Sequence, residues 1–193
     1  MAGASAIQVS EEKITELGDQ LLNNGGAPLH TRFRALFTLK SLCTPESPSD
    51  TSESFKRTSH IIDIIGSGLN SPSASPLLRH ELAYVLGQIG STHAIPVLER
   101  TLQDVQKQEE MVRHEAAEAL AAIGNLGEET IELLQRFAKA GGRGGNDDGR
   151  VVRETCEIAL AKIAWNQSEE AQKSREEGQS LDRCARPFFA VMP

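Results

Sequence analysis

The sequence predicts an all-α fold, a solenoid of about four helix pairs, and three observations carry that prediction. Aromatic residues make up only 4% of the 193-residue chain, with one Trp and one Tyr, too few to furnish the strands of a sandwich or barrel. Ala, Leu, Ile, Glu and Gln recur throughout, and all but Ile rank among the stronger helix formers. The third observation is an internal repeat. Leu78–Gly90 and Val112–Gly124 match closely at an offset of 34 residues.

Small or apolar residues fall at 82/83, 85/86 and 89 in the first copy and at 116/117, 119/120 and 123 in the second. This is the spacing of a helix with one buried face. Gly90 and Gly124 punctuate the C-terminal ends. Fainter copies lie on either side: Arg32–Leu42 at an offset of 47 and Val152–Ile163 at an offset of 40. A Ser/Thr/Pro-rich stretch, Thr44–Ser59, lengthens the first interval, and the Gly-rich Gly141–Gly149 lengthens the third. Both read as loops. Each copy follows another amphipathic stretch, so Glu11–Asn23, Ser54–Leu69, Thr92–Asp104 and Glu128–Lys139 are expected to be the first helices of four pairs. Pro96 falls near the start of its helix, where a missing N–H costs little. Helix pairs at this period make a HEAT-like α-solenoid over residues 10–165. After Trp165 the periodicity stops, and residues 166–193 read as a disordered tail.

Composition narrows the function classes. The net charge is −7 and no block of Lys or Arg is present, so a nucleic-acid partner is not expected. No apolar run is long enough to span a bilayer, and no secretory signal is visible at the start. Cys43, Cys156 and Cys184 are widely spaced, which fits a reducing compartment and argues against a disulfide framework or a structural zinc site. Cys43 and Cys156 read as buried thiols. Gly141–Gly149 lacks the spacing of a phosphate loop, and Asn146-Asp147-Asp148 that of a calcium loop. His30, His60 and His93 each stand alone and read as surface or cap residues.

The informative feature is a His-Glu pair at the same position of both strong repeats, His80-Glu81 and His114-Glu115. Adjacent helical residues point about 100° apart, so a single pair does not chelate one ion well. Equivalent positions on neighbouring helices lie about 8–10 Å apart, which lets His80 and His114 converge with Glu81 and Glu115 beside them. Imidazole with carboxylate suits iron, manganese or zinc. A plain structural role competes with this reading, because Glu in a first turn favours the helix dipole and a duplicated repeat copies it. The outer repeats have Phe33-Arg34 and Glu154-Thr155 at this position.

Five stretches resemble deoxyhypusine hydroxylase: Arg32-Phe33-Arg34-Ala35-Leu36-Phe37-Thr38-Leu39, His80-Glu81-Leu82-Ala83-Tyr84-Val85-Leu86-Gly87-Gln88, Ala94-Ile95-Pro96-Val97-Leu98, Met111-Val112-Arg113-His114-Glu115-Ala116 and Arg153-Glu154-Thr155-Cys156. They run in order between about residue 10 and Trp165. The resemblance implies a HEAT-repeat di-iron (Fe²⁺) monooxygenase. Such an enzyme uses dioxygen to hydroxylate deoxyhypusine on the precursor of translation initiation factor 5A, giving hypusine. It also implies that His80, Glu81, His114 and Glu115 are iron ligands. The family has two homologous halves, each with two His-Glu pairs, and this sequence shows the N-terminal one. Half a ligand set is expected to leave the isolated monomer inactive; a homodimer is one arrangement that faces the four residues with their own copies. The expected location is the cytoplasm, with the nucleus also open. A non-catalytic HEAT-repeat protein-binding module is the alternative, and a phycobilin-lyase-like repeat protein a third.

Overall fold

A computed structural model describes residues 10–23, 26–43, 53–71, 73–139 and 149–176. These residues form nine α-helices, one 3-10 turn and no strand. The helices are α1 (Glu11–Leu22), α2 (Leu29–Ser41), α3 (Glu53–Leu69), α4 (Pro76–Ile89), α5 (Ile95–Gln103), α6 (Glu110–Ile123), α7 (Glu128–Lys139), α8 (Arg150–Asn166) and α9 (Glu169–Glu176), with the 3-10 turn Thr92–Ala94 leading into α5. The first eight pair as α1/α2, α3/α4, α5/α6 and α7/α8, the four helix pairs that the repeat predicts. No helix of the described residues is long and apolar enough to cross a membrane.

The helix ends follow local chemistry. Ser10 and Ser75 cap α1 and α4 by accepting the Lys13 and Leu78 N–H groups, both at 3.3 Å, which satisfies donors that the first turn leaves without a partner. Gly90 and Gly124 close α4 and α6 at φ 73° and 74°, a left-handed conformation that favours glycine. Pro96 is the second residue of α5, as its position suggested. Two boundaries differ from the sequence reading. The helix α3 begins at Glu53, which bears out the helix read over Ser54–Leu69 and shortens the loop read over Thr44–Ser59; the overlap, Glu53–Ser59, contains no Pro. The short helix α9 falls within the segment read as a tail. Ser168 accepts the Ala171 N–H at 3.2 Å and Ala171 is buried, so a cap and one apolar contact hold a helix that has no periodic stripe. Residues 141–148 of the Gly-rich stretch, and the tail from residue 177 on with Cys184, lie outside the described residues.

One continuous core joins the pairs. Ile14, Leu36, Leu39, Ile61, Ile65, Leu82, Leu86, Leu98, Leu120 and Leu134 are all fully or almost fully buried within it. Cys156 is also buried, which pushes its thiol up to about 12, and burial pushes that of Cys43 up to about 11. In two repeats the arginine that precedes the His-Glu position has a structural task. Arg32 Nε donates to the Leu21 carbonyl at 2.7 Å, and Arg113 Nε to the Leu102 carbonyl at 3.0 Å. Each guanidinium thereby satisfies a last-turn carbonyl of the first helix in its own pair. The second repeat does this differently. Gln108 Nε2 donates to the Leu69 carbonyl at 2.8 Å, and Arg79 Nη1 holds Gln108 Oε1 at 3.0 Å. The residue after each of these arginines occupies the His-Glu position of its repeat. In the two middle repeats that residue is a histidine.

Candidate metal centre

The helices α4 and α6 make the most extensive helix–helix contact among the described residues, and small side chains bring them close. A Cβ placed on Gly87 would lie 2.8 Å from Ala119 Cα and 2.9 Å from its Cβ. Ala83, Ala116 and Ala117 are fully buried nearby in sequence. This approach sets the imidazoles of His80 and His114 with ring centroids 5.6 Å apart and planes tilted by 53°.

A carboxylate joins them. Glu115 is only 3% exposed, and its Oε2 lies 3.1 Å from His80 Nε2. One donor atom each from His80, His114 and Glu115 can be chosen so that all three lie within 4.8 Å of one another. Glu81 stands apart from this group. Its Oε1 is 3.3 Å from the other ring nitrogen, His80 Nδ1, but the alignment does not make a hydrogen bond, and His80 Nδ1 is buried without one. The structure therefore brings three of the four sequence-predicted residues to one point and places the fourth behind the His80 ring.

The two imidazoles differ electrostatically. The hydrogen bond that His80 Nε2 donates to the Glu115 carboxylate holds His80 above the ordinary histidine range, against burial and with help from the charges of Glu115 and Glu81. Burial holds His114 below that range; the Glu115 charge opposes this and His80 reinforces it. His114 thus favours the neutral form, the form that donates a lone pair to a metal.

Two further residues belong to this neighbourhood, Tyr84 and Glu118. Burial and then the Glu115 charge raise the Glu118 carboxyl, while Lys162 and His80 pull it down. Burial and the charges of Glu115, Glu81 and Glu118 raise the Tyr84 phenol. Their signal is present in the sequence, because the offset that maps His80 onto His114 also maps Tyr84 onto Glu118, each one helical turn further on. Glu118 also lines a small cleft of about 50 Å³ between α6 and α8, with Ile158 and Lys162. A larger open groove of about 660 Å³ runs between α3 and α5 and includes none of the His-Glu residues. His93 sits on its rim, half exposed and 2.9 Å from Asp63.

The family model for HEAT repeats matches residues 62–161, just over half of the chain. This chain is a HEAT-repeat protein. The HEAT-repeat chain is 45% identical over 171 residues to a deoxyhypusine hydroxylase of Cryptococcus neoformans var. neoformans, covering 88% of this chain and 40% of that protein. It is 38% identical over 185 residues to the deoxyhypusine hydroxylase of Mus musculus, covering 96% of this chain and 49% of the relative. The solved structure of human deoxyhypusine hydroxylase in complex with glycerol matches with a TM-score of 0.63 and 38% identity, over 81% of this chain and 45% of that one. The resemblance carried by the motifs is thus borne out along most of the HEAT-repeat chain, which spans less than half the length of these relatives.

Proposed function

We propose that this chain supplies one half of the metal site of a deoxyhypusine monooxygenase. The observation that carries the proposal is the convergence of His80, His114 and Glu115 donor atoms within 4.8 Å, in a chain that is similar to deoxyhypusine hydroxylases over most of its length. The residues fit a divalent metal. Two imidazoles and a carboxylate are the donor chemistry that iron, manganese and zinc accept, and His80 Nδ1 is a buried polar atom left without a hydrogen bond. His80, His114 and Glu115 would hold the metal, with Glu81 as the fourth ligand that the resemblance implies. Iron bound there would supply activation of dioxygen for insertion of one oxygen atom into a substrate C–H bond.

The remaining steps rest on this chain's own groups. His114 enters as a neutral donor. His80 gives up the proton it shares with Glu115, so uptake of the metal releases a proton. Glu81, Glu115 and Glu118 gather acidic groups on α4 and α6, which suits a long cationic side chain such as deoxyhypusine on the precursor of translation initiation factor 5A. The second set of donors comes from a facing half, either the complementary part of a longer relative or a second copy of this chain in a two-fold dimer. Val151, Ile158 and Trp165 recur at seven-residue spacing along α8 and are each nearly half exposed, which supports a further body packing there. The cysteine usage supports a reducing compartment, the cytoplasm or the nucleus.

The test combines iron analysis with hydroxylation of the deoxyhypusine-containing precursor. The purified chain is expected to bind iron, to be inactive as a monomer, and to gain turnover on dimerisation or on addition of a complementary half. Iron-dependent turnover by a demonstrated monomer overturns the half-site reading. Absence of iron uptake overturns the metal reading and leaves a binding module.

A further inference from the structure

A chain of hydrogen bonds crosses from α2 to α4 beside the His-Glu cluster. Lys40 Nζ donates to Gln88 Oε1, and Gln88 Nε2 donates to the Tyr84 hydroxyl. Its polarity follows from one charge. An ammonium group has donors and no acceptor, so Gln88 must turn its carbonyl oxygen toward Lys40. Its NH₂ group then faces the phenol, and Tyr84 Oη becomes an acceptor there. The hydroxyl proton of Tyr84 consequently points away from Gln88. No acceptor for that proton is found among the described residues. Tyr84 lies four residues after His80, on the same face of α4 and one turn along.

We propose that Tyr84 donates a hydrogen bond to a small anionic oxygen or nitrogen ligand held at the His80–His114–Glu115 cluster, with Gln88 and Lys40 as positioning residues that fix the direction of its proton. The assignment rests on the metal reading above and adds a group to it. Burial, joined by the charges of Glu115, Glu81 and Glu118, raises the phenol and keeps it protonated and able to donate. Because Gln88 is held from one side by Lys40 and holds Tyr84 on the other, the O–H direction is set before any ligand arrives, which is the condition for an effective fixed donor. A carboxylate in place of the Gln88 amide would reverse this arrangement. It would accept from Lys40 and from Tyr84 together, and draw the phenol proton away from the cluster.

The experiment uses the full chain loaded with cobalt(II) and titrated with azide, followed by visible absorption. Tyr84→Phe is expected to keep the cobalt stoichiometry and lose about tenfold or more in azide affinity, the scale of one hydrogen bond to a charged acceptor. Tyr84 is the single tyrosine of the chain, so the tyrosine doublet in the Raman spectrum reports on it alone. That doublet is expected to shift toward a stronger donor when azide binds the parent protein. In Gln88→Glu the doublet should already report a donor to carboxylate before azide is added, and should not respond to it. A parent chain that takes up no cobalt overturns this assignment and the metal reading together. A parent that takes up cobalt, with Tyr84→Phe binding azide equally well, overturns the role of Tyr84 and leaves the metal reading standing.

Discussion

His80 and His114 occupy the same position in consecutive repeats and are each followed by glutamate, yet one imidazole is held above the ordinary histidine range and the other below it. The difference comes from stacking. His80 receives the Glu115 carboxylate from the following repeat at 3.1 Å, while its own neighbour in sequence, Glu81, stands by the opposite ring nitrogen. The position of the next repeat equivalent to Glu115 is Thr155, at an offset of 40. No carboxylate is therefore offered to His114 from that side, and burial decides its behaviour. In a translational stack the useful carboxylate belongs to the neighbouring repeat, so two His-Glu pairs produce one bridged contact.

The largest expected effect separates the two glutamates. Glu115→Ala, His80→Ala and His114→Ala should each weaken iron binding by about 100-fold or more, with helicity by circular dichroism nearly unchanged. Glu81→Gln should cost less, about tenfold, because Glu81 stands apart from the three converging donors and its place as fourth ligand rests on the resemblance alone. Equal losses from Glu81→Gln and Glu115→Gln, read by metal analysis after dialysis, would make the two carboxylates equivalent ligands and break the comparison.

A smaller effect concerns the approach of the helices. Gly87→Ala places a methyl group 2.8 Å from the Ala119 Cα, a backbone atom that yields only if α4 and α6 separate. Gly68→Ala meets the Leu82 Cδ1 at 2.7 Å, the end of a side chain that can rotate. Thermal unfolding should show a loss of about 1–3 kcal/mol for the first and less for the second. Iron affinity should fall only for the first. A stable Gly87→Ala variant with unchanged affinity would show that the cluster does not depend on this contact.

The smallest effect is a titration order in the metal-free protein. By NMR, His80 should titrate at higher pH than His114, and Glu115→Gln should lower the His80 value. The sign carries through to stability. The His80 contribution is fully present below the unfolded-state pKa and is lost as pH rises through its raised folded value. His114 acts oppositely, because its lowered folded pKa makes protonation destabilising as pH falls. Coincident titrations would remove the electrostatic difference between the repeats.

Much of this was legible in the residues. The 34-residue offset and Gly90 and Gly124 located the helix pairs, and the repeated His-Glu pairs brought His80, His114 and Glu115 into view. The separate place of Glu81 was not legible, because periodicity names a shared face and not which carboxylate reaches which ring nitrogen. Tyr84 and Glu118 fall between the apolar positions of the two stripes, and the sequence reading gave neither of them a role of its own. The Lys40–Gln88 bond joins residues 48 apart on helices of different repeats, and no local pattern announces such a contact. The helix α9 escaped because a serine cap and one buried alanine leave no amphipathic signature.

The clamp made by Arg32 and Arg113 on the carbonyls of their own repeats has a mechanical consequence. Each of these two pairs is braced internally, and the seam between the second and third pairs has a brace of its own, Gln108 on the Leu69 carbonyl with Arg79 on Gln108. The His80–Glu115 contact straddles that same seam, where Gly87 lies closely against Ala119. His80 lies seven residues from that point, a lever arm of about 10 Å at roughly 1.5 Å per residue. A scissoring of about 5° around it moves the imidazole by about 1 Å relative to the carboxylate. A small change of angle at this seam would thus part the imidazole from the carboxylate, and the Gln108 brace opposes that change.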